Sequence, residues 1–224
     1  MKQSLIIVIC VLGALTFSAC TTTNIDQVRY TETQLEVLSG STVAVIGRRH
    51  SADYETEPFI VECIGDQMDR ANADFTVLNE AQFSDRLYPW FEPRTAPLKP
   101  ERFKKLLADP MVSERVDAMG IQYIVWIDGQ TETTDSAGSL SCALTPGAAG
   151  CIGFSSWEKD STYEVEVWDM KTFDEVAELS SQGTGRSYMP AIIVPIPLIA
   201  RVKTNACKGI AEQIMSMFEA SAGT

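Results

Sequence analysis

The stretch IQYIVWID, residues 121–128, decides the fold. Its residues are mostly β-branched or aromatic, and apolar side chains occupy both the odd and the even positions of the run. Because successive side chains of a strand point to opposite faces, a strand of this composition is buried on both faces. We therefore predict that residues 121–128 form a central strand.

The chain before this strand predicts a βαβ opening. The run TVAVIG, residues 42–47, is β-branched and ends in glycine, which indicates a buried first strand. A helical pattern then begins at Glu57-Pro58 and continues to about Ala73, with proline in the first turn, where its missing N–H costs nothing. A short strand at Thr76 to Leu78 follows.

A proline-rich connection and a further helix lead into the central strand. The segment PWFEPRTAPLKP, residues 89–100, has four prolines and cannot be a regular element. A helical pattern starts near Phe103, Asp109-Pro110 is typical of a new cap and first turn, and Gly120 is expected to end the helix.

After the central strand we predict a loop, a hairpin and a closing helix. The Thr, Ser and Gly-rich segment 129–150 is expected to be the loop. The alternating run TYEVEVWDM, residues 162–170, and residues 175–181 form an antiparallel hairpin. An amphipathic helix at about 199–218 closes the fold.

These elements give the order β-α-β-α-β-β-β-α. We predict an α/β (α+β) fold with a mixed sheet of about five strands and three main helices gathered on one side of the sheet. Residues 41–220 are expected to be a single globular domain, a length that suffices for a substantial core.

The first residues of the chain are typical of a secretory signal. Lys2 precedes an apolar block from Leu5 to Phe17, which is shorter than the roughly 20 residues that a bilayer-spanning helix needs. Its length fits the core of a signal peptide. Small residues, Ser18 and Ala19, then precede Cys20, so we predict a signal peptide at residues 1–19.

This junction resembles the lipobox of bacterial lipoprotein precursors. The resemblance implies that Cys20 receives a diacylglycerol on its sulfur, that cleavage occurs before Cys20, and that the new amino terminus is acylated. Phe17 stands where the family prefers leucine, and an ordinary secretory signal ending at Ala19 is the alternative. Thr21 replaces the aspartate that the family uses for inner-membrane retention, which favours the outer membrane, facing the periplasm, over the inner membrane or cell surface. Residues 20–40 are expected to be a lipid-anchored tether.

The charge of the chain bears on its partners. The net charge is −12, and it becomes −13 once Lys2 is removed with the signal. An acidic protein is repelled by phosphate backbones, so nucleic acid is excluded as an expected partner. No cofactor is predicted, because the glycine cluster at 146–153 is not followed by the Gly-Lys-Ser/Thr of a phosphate-binding loop.

Four cysteines remain outside the signal and the anchor, and an even number is typical of disulfides formed in an oxidising compartment. Cys142 and Cys151 bracket the turn segment LTPGAAG, which favours one bond between them. Cys63 and Cys207 lie on the apolar sides of two predicted helices that could pack on one sheet, which favours the second bond. The alternative is that this second pair remains as buried thiols. No metal site is predicted, because the chain has no CxxC pair and one histidine.

The most apolar stretch in the second half of the chain is MPAIIVPIPLIARV, residues 189–202. Its apolar run is too short for a membrane-spanning helix and is broken by Pro195 and Pro197. Three interpretations stay open: a connection that packs in the core, which we favour; an exposed patch including Ile193 and Ile196 that binds a protein; and a loop that enters the membrane near the anchor.

The sequence offers few groups for catalysis. His50 is the single histidine, and it follows Arg48 and Arg49 at the carboxyl end of the first buried strand, where α/β sheets bind ligands. These three residues could contact an anionic ligand. No GxSxG motif is present, and catalysis by acidic pairs such as Glu132 and Asp135 is not favoured, because loop carboxylates in an acidic chain are ordinarily solvated.

The element order resembles that of the amino-terminal domain of the Tol-system propeller protein and of curli-secretion and penicillin-binding-protein-activator lipoproteins. This resemblance extends over about residues 40–220, and no motif matches residue by residue, so it implies no functional residue. We expect a lipid-anchored, non-catalytic module that binds or regulates another envelope protein. The alternative is a small envelope hydrolase or anionic-ligand-binding lipoprotein that uses the His50 region, so the sequence leaves enzymatic activity open.

Overall fold

A six-stranded mixed sheet forms the centre of the fold in a computed structural model that describes residues 23–30, 34–48, 56–71, 74–92, 95–146 and 148–220. The strand order is β1-β7-β6-β5-β3-β4. Two short strands, β2 and β8, pair in parallel as a separate small sheet. The strands are β1 (Thr23–Arg29), β2 (Leu35–Val37), β3 (Thr42–Gly47), β4 (Thr76–Leu78), β5 (Ile121–Thr145), β6 (Ala148–Asp169), β7 (Asp174–Ile193) and β8 (Phe218–Ala220).

Five helices surround the sheet in the described part of the chain: α1 (Pro58–Ala71), α2 (Glu80–Arg86), α3 (Pro100–Leu106), α4 (Pro110–Ala118) and α5 (Val202–Met217). Local chemistry explains several of their starts. The Asp109 carboxylate accepts the Met111 N–H at 2.9 Å, as the capping pattern predicts, and Asn79 caps α2 by accepting from the Gln82 N–H. The mixed α/β class and the single domain are as predicted, although the elements are more numerous than expected.

The predicted central strand is confirmed. Residues 121–127 pair in parallel with β3, and residues 123–128 pair antiparallel with β6. The side chains from Tyr123 to Ile127 are all buried. Both faces of this part of β5 are therefore covered by other elements.

The helices lie on both faces of the sheet, so the prediction that they gather on one side is wrong. Helices α1 and α5 pack on the face that presents Val43, Val45 and Val125. Side chains of α2, α3 and α4 cover the opposite face, where Ile46 and Trp126 lie. The physical reason is the apolar character of β3 and β5 at both odd and even positions, which leaves two faces to bury.

The expected tether at residues 20–40 contains regular structure. Strand β1 pairs antiparallel with β7 along its whole length, from Thr23 opposite Gly185 to Arg29 opposite Leu179. Ile25 packs against the core, and β2 adds Leu35 and Val37 to it. A polar strand can form here because its stability comes from backbone pairing with β7, which composition does not reveal. Cys20 and the predicted signal lie outside the described residues.

The prediction of a loop at residues 129–150 is wrong, because most of these residues form strands. Strand β5 continues to Thr145, and β6 begins at Ala148, so the two form one long hairpin. The Thr and Ser residues are compatible with strand structure, and each is held by pairing with β6 rather than by burial. Gly138 has φ of 94°, and a Cβ there would lie 2.2 Å from the Phe154 carbonyl oxygen, so this position requires glycine.

Both favoured disulfides are present. Cys63 on α1 is bonded to Cys207 on α5, which ties together the two helices on one face of the sheet. Cys142 on β5 is bonded to Cys151 on β6, opposite it in the register. No helix among the described residues is both long and apolar enough to cross a membrane.

The two disulfides should contribute unequally to stability. They close segments of 144 and 9 residues, for which loop-closure entropy predicts about 5 and just under 3 kcal/mol. The second bond also lies far from the buried core. We expect Cys63→Ala with Cys207→Ala to lower the thermal melting temperature much more than Cys142→Ala with Cys151→Ala. Equal decreases in the melting temperatures of the two double variants would contradict this expectation.

Candidate contact surface

Strands β5, β6 and β7 continue well past the helices as a three-stranded projection. The last pair between β3 and β5 joins Gly47 and Ile127, whereas β5 and β6 stay paired as far as Thr145 and Ala148. Strand β7 follows β6 as far as Ile193 opposite Cys151. We call residues 133–145, 148–159 and 185–193 the projection, and most of its described side chains are exposed or half-buried.

An ionic cluster marks the base of the projection. Arg186 on β7 donates to Glu158 on β6, with nitrogen to oxygen distances of 2.8 and 2.9 Å, and to Asp135 on β5 at 3.3 Å. These groups are partly exposed, so the ion pairs add little to stability. Their position marks the limit of the charged surface of the projection. Beyond them, no Asp, Glu, Lys or Arg occurs between Ser136 and Trp157 or between Ser187 and Ala200.

One face of the far end of the projection is apolar. Ile152 pairs with Ile192, and Phe154 pairs with Pro190, so these four side chains share a face of the sheet. The Phe154 and Tyr188 rings lie 6.0 Å apart. Ile152 and Ile192 are 71% and 78% exposed, so this apolar surface is uncovered.

The segment after β7 extends the same surface. The chain reverses after Ile193 and runs back along the edge of β7, where Leu198 exchanges two backbone hydrogen bonds with Tyr188 and the Ile196 N–H donates to the Pro190 carbonyl. Pro195 and Pro197 alternate with these donors, so the prolines fit an edge position where no N–H is needed. Ala200 then returns to the body, its N–H donating to the buried Ser187 hydroxyl.

The favoured interpretation of residues 189–202 is therefore wrong for most of the segment. Ala191, Ala200 and Val202 are buried, but Ile196 is 59% exposed and other large apolar side chains of the segment are also exposed. No element among the described residues covers these exposed side chains. The side chain of Ile193 is not among the described parts of the structure. We call the exposed apolar group at this end the apolar tip: Ile152, Phe154, Ile192, Val194 and Ile196.

The other predicted site residues lie elsewhere. Arg48 follows β3 and donates to Asp128 at 3.0 Å and to Glu166 at 3.1 Å. Burial alone would lower the pKa of Arg48, but its hydrogen bonds to the two carboxylates and their charges raise it. The Arg48 guanidinium is thus already paired with two carboxylates of the protein. Arg49 and His50 lie outside the described residues.

A cleft of about 440 Å³ opens beside Arg48 at the carboxyl ends of β3 and β4. Its described walls include Glu62, Glu80 and Asp85. These carboxylates oppose an anionic ligand, and the one described arginine is already paired with carboxylates. The described part of the cleft therefore does not favour the anion site that the sequence suggested.

A second polar cluster lies on the opposite face of the sheet. The Tyr163 hydroxyl donates to Glu57 at 2.9 Å, and Lys203 donates to the other oxygen of that carboxylate at 2.7 Å. Burial and the neighbouring Glu57 charge raise the pKa of Tyr163 well above its ordinary value. The charges in this cluster are balanced, which fits a structural role. No group of three potential metal ligands is found within the described residues.

The acidic pairs considered for glycan chemistry lie in strands rather than loops. Glu132 faces Asp160, and Asp135 is close to Glu158, across β5 and β6. The second pair is bridged by Arg186. All four carboxylates thus lie on exposed or half-buried parts of the sheet, where solvent can hydrate them.

Comparisons with known proteins leave the chain without a family. No protein-family model and no curated protein matches it. Among solved structures, a PelC dodecamer variant and a PelC dodecamer, both from Paraburkholderia phytofirmans, align over 89% of this chain and 100% of theirs. Their TM-scores are 0.43 and 0.40, at 11% and 12% identity. A likeness of this size assigns neither a family nor an activity.

We expect Arg48→Met to reduce stability. The substitution would leave two partly buried carboxylates, Asp128 and Glu166, without their shared cation, which should lower the free energy of unfolding by about 1–3 kcal/mol. Denaturant titration measures this loss, and Arg102→Met, at an exposed position on α3, is the matched control. An Arg48→Met protein with unchanged stability would show that the arginine is available for another role.

Proposed function

We propose that this protein is a non-catalytic, lipid-anchored contact module of the bacterial cell envelope. The apolar tip carries this proposal, because a charge-free apolar surface of several large side chains is unusual on a water-soluble body and is typical of a contact site. Ile152, Phe154 and Ile192 lie on strands held by pairing and by the Cys142–Cys151 bond, and the Ile196 N–H donates to the Pro190 carbonyl, so the surface is preformed.

The proposed location is the periplasmic side of the outer membrane. Two disulfides fit an oxidising compartment such as the periplasm. The lipobox-like junction at Cys20 supports attachment through acyl chains, and two or more chains give the stable anchoring that one chain does not. The proposed partner is another component of the envelope, which the module binds or regulates by contact.

Attachment depends on one atom, the Cys20 sulfur. We expect Cys20→Ala to remove the protein from the outer-membrane fraction, leaving it unprocessed or soluble, because no thioether can form. Fractionation with mass spectrometry of the mature amino terminus measures this. A processed Cys20→Ala protein that still fractionates with the outer membrane would disprove the anchor.

The contact role depends on the apolar tip. We expect Ile192→Ser with Ile196→Ser to abolish complementation of a deletion strain while changing the free energy of unfolding by less than about 0.5 kcal/mol, because both side chains are exposed. Met111→Ser, at an equally exposed apolar residue on α4, is the matched control and should complement fully.

Two outcomes would overturn this assignment. A large fall in the melting temperature of the doubly substituted protein would show that the segment packs in the core. Full complementation by a normally folded variant would show that the tip is not the contact surface.

A further inference from the structure

We infer that the partner of the apolar tip is the lipid bilayer to which the chain is anchored. The tip would rest at the boundary between headgroups and acyl chains, beside the acylated amino terminus. This inference rests on the lipid anchor proposed above and names what the contact surface touches.

The position of β1 supports this arrangement. Strand β1 runs antiparallel to β7, and Thr23 pairs with Gly185 while Arg29 pairs with Leu179. Because β7 runs towards the tip, the amino-terminal end of β1 is the end that points to the tip. Thr23, the first described residue, therefore lies at the end of β1 that is nearer the projection.

Covalent geometry then limits where the anchor can be. Three Cα-to-Cα steps lead from Thr23 back to Cys20 and reach at most about 11 Å. From Gly185, the level of Thr23, strand β7 extends to Ile193 over roughly 26 Å at the rise of a strand. The projection thus extends farther than the anchor can reach. When the acyl chains at Cys20 enter a bilayer, the tip must either enter the same bilayer or lie along its surface.

The distribution of charge favours entry of the tip into the bilayer over entry of any other part of the protein surface. No ionisable Asp, Glu, Lys or Arg lies between Ser136 and Trp157 or between Ser187 and Ala200, whereas the rest of the chain carries the whole net charge of −12. Anionic headgroups repel an acidic surface, and burying an unpaired charge in hydrocarbon is costly. The Arg186 cluster at the base sets the limit of the surface that can approach.

Backbone hydrogen bonding limits the depth of entry. Beyond Ile127, the outer edge of β5 has no strand partner among the described residues. Open sheet edges are not found in the hydrocarbon region, because their N–H and C=O groups would lose their water. Entry is therefore shallow, on the scale of the roughly 5–10 Å of interfacial segments, and the projection is inclined to the bilayer rather than perpendicular to it.

The order of side chains along the projection fits this depth. Ile152 and Ile192 lie two pairs farther out than Phe154, so they enter the acyl boundary first. The Phe154 and Tyr188 rings, 6.0 Å apart, then lie nearer the headgroups, where aromatic side chains are enriched. Val194, just beyond the end of β7, is also exposed.

The test is an environment-sensitive fluorophore at the tip of the full acylated protein. Ile152→Cys, labelled with a nitrobenzoxadiazole maleimide under non-reducing conditions, is reconstituted in vesicles of phosphatidylethanolamine and phosphatidylglycerol. Thr172→Cys, in the turn between β6 and β7 at the opposite end of these strands, is the matched control. Unchanged melting temperatures verify that both labelled proteins are folded.

We expect the label at position 152, but not at 172, to shift its emission to shorter wavelength on vesicles. The same label should lose quenching by aqueous iodide and gain quenching by lipids with a spin label near the headgroup. Adding Ile192→Asp, directly opposite in the register, should return the label to water.

Three results would overturn the inference while leaving the anchor intact. In each, the protein floats with the vesicles. In the first, the label at 152 is quenched by iodide as fully as the label at 172. In the second, its protection appears only at high protein density, which indicates a second copy of this chain. In the third, protection appears only after other envelope proteins are added, which indicates a protein partner. Failure of the wild-type protein to float would instead disprove the anchor itself.

Discussion

The structure depends on the burial of both faces of β3 and of the first third of β5. Val43 and Val125 face α1 and α5, while Ile46 and Trp126 face α2 to α4. No single helical layer could cover both sets, so the chain must supply two layers and cross from one face of the sheet to the other between α1 and α2. The Cys63–Cys207 bond then joins the first and last helices of one layer, which lie far apart in sequence.

The same strand changes its physical character where it leaves the helices. The first part of β5 is stabilised by apolar burial, whereas its outer part is held by backbone pairing with β6 and by the Cys142–Cys151 bond. Polar clusters lie at the transition on both faces: Arg48 with Asp128 and Glu166 on one, and Glu57 with Tyr163 and Lys203 on the other. Their hydrogen bonds link the strands to neighbouring elements at the point where the projection begins.

The sequence predicted what depends on local pattern and side-chain burial. The central strand, the Asp109 cap and the hairpin after Thr162 follow from periodicity and capping chemistry. The Cys63–Cys207 bond follows from cysteines on the apolar faces of two helices, and the Cys142–Cys151 bond from cysteines that bracket a turn segment. The prediction from sequence failed for segments that are held in place only by backbone pairing between strands. Strand β1 and the outer part of β5 are polar or small-residue segments whose partner is distant in sequence, and composition does not report such a partner.

An exposed apolar patch including Ile193 and Ile196 was one of the three interpretations of residues 189–202, and burial was favoured over it because most apolar runs are buried. The pattern that identifies the tip is the distribution of charge rather than hydropathy. In a chain with 30 acidic residues, the segments 136–157 and 187–200 have none, and they become neighbours only through the register of β5, β6 and β7. An uncovered apolar surface favours aggregation, and a structure that builds one at the end of three locked strands is expected to cover it in use. Because Thr23, the first described residue of β1, lies at the end of that strand nearer the tip, the proposed anchor and the proposed cover of the tip would lie at the same end of the molecule.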